Sequence, residues 1–261
     1  MKLYSALLAS ACVLALAAPA SAQISALLGT SYSHISADSL SINSWNINGQ
    51  GAFALPDTGF NFQGQAGYSN ISGEGANAND WNVGGTAFWA QDMFRLGATL
   101  NYDSISVGGV GGNAHTTSYG GFAEWFPGIL TLGVKGGGVS GSLSGFGSGS
   151  GSYVGGEAIV YPLPNLAVSG DIDYAGASGA NETDLTAQAE WLVSDEVPVS
   201  LYGGYTHASI ALSGLPSNGG DMVFGGLRFY LNGTGSTTLM DRQRTGTANW
   251  ASSFGPLATH L

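Results

Sequence analysis

Residues 94–103 read FRLGATLNYD and alternate strictly between two classes of side chain. The apolar and aromatic class comprises Phe94, Leu96, Ala98, Leu100 and Tyr102. The other class is polar, small or charged and comprises Arg95, Gly97, Thr99, Asn101 and Asp103. Because successive side chains of a β-strand point to opposite faces, this period of two predicts a strand with one apolar and one polar face. Residues 166–174 and 185–193 alternate in the same way.

The same pattern recurs along the chain and predicts about twelve strands. We place them near 27–36, 45–55, 60–71, 81–90, 94–105, 116–126, 129–139, 152–161, 166–175, 184–193, 199–209 and 222–231. Tight turns rich in Pro, Asp and Gly, such as 56–59 and 127–128, alternate with Gly-, Ser- and Asn-rich segments. The latter predict longer loops at 72–80, 106–115, 140–151 and 210–221.

Aromatic residues mark the two ends of the predicted apolar faces. Pairs eight residues apart are Trp45 and Phe53, Phe60 and Tyr68, Trp81 and Trp89, and Phe94 and Tyr102. On a tilted strand eight residues rise about 20 Å, close to the ~25 Å apolar band that aromatic girdles flank in membrane barrels. A soluble sandwich or a solenoid would also alternate, but it would bury its large side chains at the centre of the apolar face. The fold predicted is therefore all-β: a single antiparallel up-and-down transmembrane β-barrel of about 12 strands, with short turns at one end and longer loops at the other.

Composition excludes several other classes of protein. Only 9% of the residues are charged, against roughly 25% in a typical soluble domain. After residue 22, no apolar run approaches the ~20 residues of a membrane-spanning helix. With six Lys and Arg against 17 acids, the chain lacks the clustered positive charge that nucleic-acid binding requires.

The first 22 residues have the pattern of a cleaved secretory signal. Lys2 precedes an apolar run from Leu3 to Ala18, and Ala20-Ser21-Ala22 provides a cleavage site. A lipoprotein signal at Ala9-Ser10-Ala11-Cys12 is the alternative. Since Cys12 is the only cysteine, a chain cleaved after Ala22 would have no disulfide. We therefore divide the chain into a signal at 1–22, a barrel at 23–231 and a C-terminal periplasmic tail at 232–261.

The last predicted strand ends in Gly226-Leu227-Arg228-Phe229-Tyr230-Leu231, which resembles the C-terminal insertion signal of outer-membrane barrels. Together, the signal, the hairpins and this strand resemble the porin-like outer-membrane barrels of Gram-negative bacteria. Residues 227–231 and 238–244 are similar to the tail of poorly characterised barrels of alphaproteobacterial type. The resemblance implies a protein integral to the outer membrane, with both termini periplasmic. Its partners would be outer-membrane lipid, lipopolysaccharide, the barrel-assembly machinery and small solutes.

The charged residues of the polar faces are the candidate functional residues. We predict that the barrel interior is lined by Arg95, Asp103, Glu124, Lys135, Glu157, Asp171, Asp173, Glu190 and Arg228. Three cations and six acids would make a narrow diffusion channel mildly selective for cations. Alternatively, these charges pair inside a filled structural or surface-interaction barrel, as Arg95 with Glu124. The loop acids of such a barrel, namely Asp38, Glu74, Asp80, Glu182, Asp184 and Asp221, could bind divalent cations.

An enzyme is the third class of function, and we predict no catalytic residue, metal or cofactor. His34, His115 and His207 fall at the loop ends of strands, and His260 lies in the tail. Covalent catalysis needs a nucleophile with a His and an orienting partner. The Asp171 and Asp173 carboxylates share a face, but without a paired partner face we interpret them as pore lining. For the tail, the sequence leaves three possibilities: a flexible segment, which we favour, a periplasmic contact, or a partial plug.

Overall fold

A computed structural model describes residues 23–37, 40–73, 76–108, 112–144, 147–177, 179–194, 196, 198–212, 217–232 and 238–248. The predicted signal at 1–22 and the tail beyond residue 248, which includes His260, lie outside the described residues. Asp38 and Glu74 lie outside them as well.

Twelve antiparallel strands close into one barrel, as the alternation predicts. They are β1 Gln23–Ala37, β2 Leu40–Ala54, β3 Phe60–Gly73, β4 Ala76–Gln91, β5 Phe94–Val107, β6 Gly112–Trp125, β7 Leu130–Leu143, β8 Gly147–Leu163, β9 Leu166–Ala177, β10 Ala180–Leu192, β11 Val199–Leu212 and β12 Asn218–Asn232. Each strand pairs with its neighbours in the sequence, and β12 pairs with β1 to close the barrel.

The two ends of the barrel differ less than the sequence suggests. At the turn end, tight connections follow β2, β4, β6, β8 and β10, as predicted. At the loop end, the segments expected to be long loops are mostly strand. For example, β7 continues to Leu143 and β8 begins at Gly147. The Gly- and Ser-rich segment 140–151 contains no proline, so its backbone N–H groups remain able to pair across the hairpin. The long-loop prediction is corrected accordingly.

The outer face of the barrel is apolar and the inner face is polar. Leu100, Val134 and Val223 are 58–60% exposed on the outside. Gln63, Thr86, Asn101 and Thr206 are buried on the inside. This arrangement is the inverse of a water-soluble protein, and it is the distribution that a membrane-spanning barrel requires.

A short helix, α1 (Leu239–Thr245), follows the barrel and lies in its turn end. The Thr238 side chain caps it by accepting a hydrogen bond from the Asp241 backbone N–H at 3.0 Å. Leu239 is completely buried against one inward-facing residue from each of five strands. These residues are Leu27, Tyr161, Ala167, Leu192 and Tyr230. The expectation of a flexible tail is therefore wrong for residues 238–248, because apolar burial anchors them. No helix within the described ranges is long and apolar enough to cross a membrane.

Candidate functional site

The barrel interior contains a cavity of about 430 Å³ that is lined mostly by polar side chains. Ser31, Ser33 and Asp80 line it towards the loop end, and Gln243 and Arg244 of α1 line it at the turn end. The cavity therefore extends along the barrel axis from the loop half down to the helix.

All nine charged residues singled out in the sequence lie on the inward face. Eight of them line the cavity: Arg95, Asp103, Glu124, Glu157, Asp171, Asp173, Glu190 and Arg228. The ninth, Lys135, is buried, and its Nζ lies 2.9 Å from Oδ2 of Asp173. The period of two predicted their direction correctly because the strand pairing is regular at these residues. The bulge in β8 comes after Glu157, between Val160 and Leu163.

Each of the three cations on the strands has a carboxylate partner. Arg95 Nη1 lies 3.1 Å from Glu124 Oε2, so the pairing predicted for these residues is present. Arg228 forms an ion pair with Glu190, which also accepts hydrogen bonds from Ser200 at 2.5 Å and Tyr230 at 2.6 Å. Burying a charge is tolerated only when such partners replace the lost water.

Three acids assigned to loops belong to the interior. Asp80, Glu182 and Asp184 are only 2–5% exposed and lie on the inward face of β4 and β10. We placed the starts of these strands too late, at 81 and 184. Asp80 and Glu182 therefore fell before the predicted strands, and Asp184, the first residue of its strand, was grouped with the loop acids. The alternation still assigns Asp80 to the correct face, because residues an even number of positions apart on a strand share a face and Thr86 points inward. Asp221 does lie on the outer face and is 2.8 Å from His207 Nδ1. Within the described part of the chain, no group of three or more His, Cys, Asp and Glu residues could hold a metal ion.

Charge is therefore graded along the axis of the interior. Near the turn end, four arginines balance the acids. Arg95 and Arg228 lie on the strands, and Arg242 and Arg244 lie on helix α1. In the loop half lie Asp80, Asp103, Glu182 and Asp184. Among the described residues, Asp80 Oδ1 and Asp103 Oδ2 have no hydrogen-bond partner. Acids therefore outnumber cations in the loop half of the interior, where Lys135 pairs with Asp173, and the turn half is nearly balanced.

Helix α1 is tied to the barrel wall by polar contacts with β5, β8 and β10. Gln243 accepts a hydrogen bond from the Tyr161 hydroxyl at 2.7 Å and donates one to Glu190 at 3.2 Å. Arg95 donates a hydrogen bond to the backbone carbonyl of Arg244 at 2.5 Å, which satisfies a carbonyl at the end of the helix. The helix therefore joins the same Arg95 and Glu190 groups that form the interior ion pairs.

Arg244 and Ala248 make further contacts with the barrel wall, at the turn between β6 and β7, on β7 and on β3. Arg244 donates hydrogen bonds to Thr131 Oγ1 at 3.2 Å, to the Gly128 carbonyl at 2.8 Å and to the Leu130 carbonyl. Partial burial lowers the pKa of this guanidinium, and nearby Tyr161 and Asp241 oppose the change. The Ala248 N–H donates to Gln63 Oε1 at 2.7 Å. Residues 238–248 thus span the mouth of the barrel at its turn end.

The described histidines do not meet the interior carboxylates. His34, His115 and His207 lie on the outer face near the loop end, whereas Asp171 and Asp173 line the cavity. The sequence also did not identify Gln63, Tyr161 and Gln243 as site residues. Arg242 and Arg244 are the signal in the sequence that could have indicated a contact between the tail and the acidic interior.

Comparison with known proteins supports the fold. No protein-family model matches the chain, and no curated protein resembles it in sequence. The β domain of the Bordetella autotransporter BrkA superposes with a TM-score of 0.53 and 12% identity, covering 79% of this chain and 99% of that one. A Pseudomonas aeruginosa FadL homologue superposes with a TM-score of 0.50 and 11% identity, covering 80% of this chain and 90% of that one. The chain thus shares the barrel fold of known outer-membrane proteins.

Proposed function

We propose that the protein is an outer-membrane channel for the passive passage of small hydrophilic solutes. The observation that carries the proposal is the polar cavity of about 430 Å³ inside a closed barrel whose outer surface is apolar. In this proposal the loop end faces outward and both termini are periplasmic, as is usual for barrels with an even number of strands. The strand Gly226–Leu231 would serve as the signal read by the barrel-assembly machinery.

The charge gradient supports a preference for cations. A solute entering from the loop end meets Asp80, Asp103, Glu182 and Asp184 before the arginines of the turn half. Rings of carboxylates raise the local concentration of cations and repel anions in narrow pores. The preference is mild, because the turn half also contains four arginines, two of them paired with Glu124 and Glu190.

Helix α1 would control passage at the turn end. Gln243 of the helix bonds Glu190 and Tyr161, and Ala248 beyond the helix bonds Gln63; water can replace these hydrogen bonds when the segment moves. Only the Leu239 cluster and the packing of Ala248 against Phe88 and Phe122 are apolar. The helix is therefore held firmly enough to narrow the mouth, and its displacement would widen the path.

A non-conducting structural or surface-interaction barrel is the second candidate. It is favoured by the three interior ion pairs and by the helix across the mouth, both of which fill the lumen. Under this alternative the cavity would be a closed pocket and no solute would cross.

Single-channel recording in a planar lipid bilayer distinguishes the two candidates. We expect the refolded full-length protein to give discrete conductance steps that grow with salt concentration, with a reversal potential biased towards cations. A heat-modifiable shift in gel mobility verifies that the barrel is folded. Silence from a folded barrel would reject the channel and leave the structural barrel. Steps without cation bias would reject the selectivity alone.

A further inference from the structure

The outward-facing aromatic residues differ between the two ends of the barrel. At the loop end, the described residues include six tyrosines, Tyr32, Tyr68, Tyr102, Tyr119, Tyr174 and Tyr205. At the turn end, the corresponding girdle contains five phenylalanines, Phe53, Phe60, Phe62, Phe94 and Phe229, and three tryptophans, Trp89, Trp125 and Trp191. All of these rings provide apolar surface, but only tyrosine has a hydroxyl group, which both donates and accepts hydrogen bonds, whereas the indole N–H of tryptophan only donates. The two membrane boundaries therefore differ in hydrogen-bonding capacity.

Four of the six tyrosine hydroxyls at the loop end contact a polar side chain of the neighbouring strand. On β1, the Tyr32 hydroxyl donates to Asn43 Oδ1 at 2.8 Å. His34, two residues further along β1, lies 2.9 Å from the same oxygen through its Nδ1. Asn43 on β2 pairs directly with His34. We call this group of three residues a tyrosine cradle. It consists of a tyrosine, the residue two positions later on the same strand, and the residue that pairs with that second residue on the neighbouring strand.

The cradle recurs at the same level on other odd-numbered strands. On β3, Tyr68 donates to Asn79 Oδ1 at 2.6 Å, and Asn70 donates to the same oxygen at 3.0 Å. On β11, Asp221 Oδ1 accepts from Tyr205 at 2.5 Å and lies 2.8 Å from His207 Nδ1. The atoms in the β3 and β11 cradles are exposed, so they remain accessible to a further partner.

The cradle is modified on the three remaining odd-numbered strands, β5, β7 and β9, which complete the ring of tyrosines around the barrel. On β5, the Tyr102 hydroxyl lies 2.9 Å from His115 Nδ1. On β9, the cradle position is Gly176, where a Cβ atom would lie 3.1 Å from Asn181 Oδ1 and 3.3 Å from the Tyr174 hydroxyl. On β7 the corresponding residue is Gly138, over which Tyr119 of β6 lies. A tyrosine hydroxyl therefore occupies this level near every odd-numbered strand.

The ring contains no Lys or Arg among the described residues. Lys135, Arg95 and Arg228 point into the lumen, and Arg242 and Arg244 belong to the tail segment inside the mouth. The outer face therefore has no ammonium or guanidinium group with which to bind phosphate. It offers hydroxyls, amides and imidazoles beside aromatic faces, including those of Trp45 and Trp81.

We propose that the tyrosine cradles form a binding girdle for the saccharide headgroups of glycolipids in the leaflet at the loop end. Sugar rings present hydroxyl groups around an apolar face, which matches polar side chains set beside aromatic rings. The girdle adjoins the apolar belt that contacts acyl chains, so a bound lipid places its headgroup at this level. The proposal does not depend on conduction, since all of these residues lie outside the lumen.

A thermal-shift experiment with purified barrel in detergent micelles tests the proposal. The midpoint of heat-modifiable unfolding is measured with added lipopolysaccharide, with phosphatidylglycerol and with neither. The test variant combines Tyr32→Phe, Tyr68→Phe and Tyr205→Phe, which remove hydroxyls and keep the rings. Tyr153→Phe is the matched control, because it removes a hydroxyl from a buried residue on the inward face.

We expect lipopolysaccharide near saturation to raise the midpoint of the wild type and of Tyr153→Phe by about 5–10 °C. The triple variant should lose most of this increase, and excess soluble core oligosaccharide should abolish it in the wild type. The proposal is overturned if the triple variant responds fully or if phosphatidylglycerol is as effective as lipopolysaccharide. Should the triple variant not fold, the oligosaccharide competition decides alone, because it requires no substitution.

Discussion

Replacing Leu239 with alanine should loosen the helix that spans the barrel mouth without changing any interior charge. Leu239 is completely buried in a cluster with Leu27, Tyr161, Leu192 and Tyr230. Truncating a fully buried leucine costs about 2–5 kcal/mol. The helix lies inside the barrel mouth and is not part of the sheet. Most of this free-energy cost should therefore weaken the docking of the helix.

The expected effect on docking is large. A loss of about 3 kcal/mol raises the ratio of displaced to seated helix about 150-fold. We therefore expect Leu239→Ala to increase the open probability of single channels strongly, while the thermal midpoint of the barrel changes little. Leu239→Met is the matched control, since a swap that conserves volume costs less than about 1.5 kcal/mol.

Planar-bilayer recording and heat-modifiable mobility measure the two quantities on the same preparations. If Leu239→Ala opens no more often than Leu239→Met, although both barrels are folded, the helix does not control passage. A large fall in the thermal midpoint would instead show that the helix is part of the barrel's stability. Either result would refute the reasoning.

Three further predictions concern the interior charges. Arg95→Ala should lower the free energy of unfolding of the barrel by about 3–5 kcal/mol in an unfolding titration, because Glu124 would remain buried without its partner. The double variant with Glu124→Ala should recover much of this loss. Asp80→Asn with Asp103→Asn should reduce the cation-to-anion permeability ratio by about twofold, read from reversal potentials in a salt gradient; an unchanged ratio would exclude these acids as the selectivity determinants. Arg244→Met should raise open probability more than Arg244→Lys, because only lysine keeps a cationic donor for the carbonyls of Gly128 and Leu130.

The barrel was predictable because a transmembrane strand leaves a strong local pattern. One face meets lipid and the other meets water or polar side chains, so the period of two in 94–103 fixes both the strand and the inward direction of Arg95 and Asp103. The Pro- and Gly-containing turns then fix where the chain reverses. Each of these signals needs only the nearest residues.

The misplaced features depend on information that the local pattern does not contain. Asp80 and Glu182 precede the predicted strand starts, in segments where both faces are polar and the alternation in hydropathy disappears, and Asp184 lies at the edge of such a segment. Helix α1 is too short for a helical period to be recognised, and its position depends on Leu239 meeting Leu27, more than 200 residues away. The tyrosine cradles join neighbouring strands, so a single strand does not reveal them.

Removal of residues 233–261 tests the central claim most directly. The truncated chain keeps all twelve strands and loses the segment that spans the mouth. We predict that it folds into a heat-modifiable barrel and conducts with larger steps than the full-length protein, with the cation bias retained because the loop-half acids remain. A folded truncated barrel that passes no current would contradict the account, since it would show that the lumen is closed without the helix.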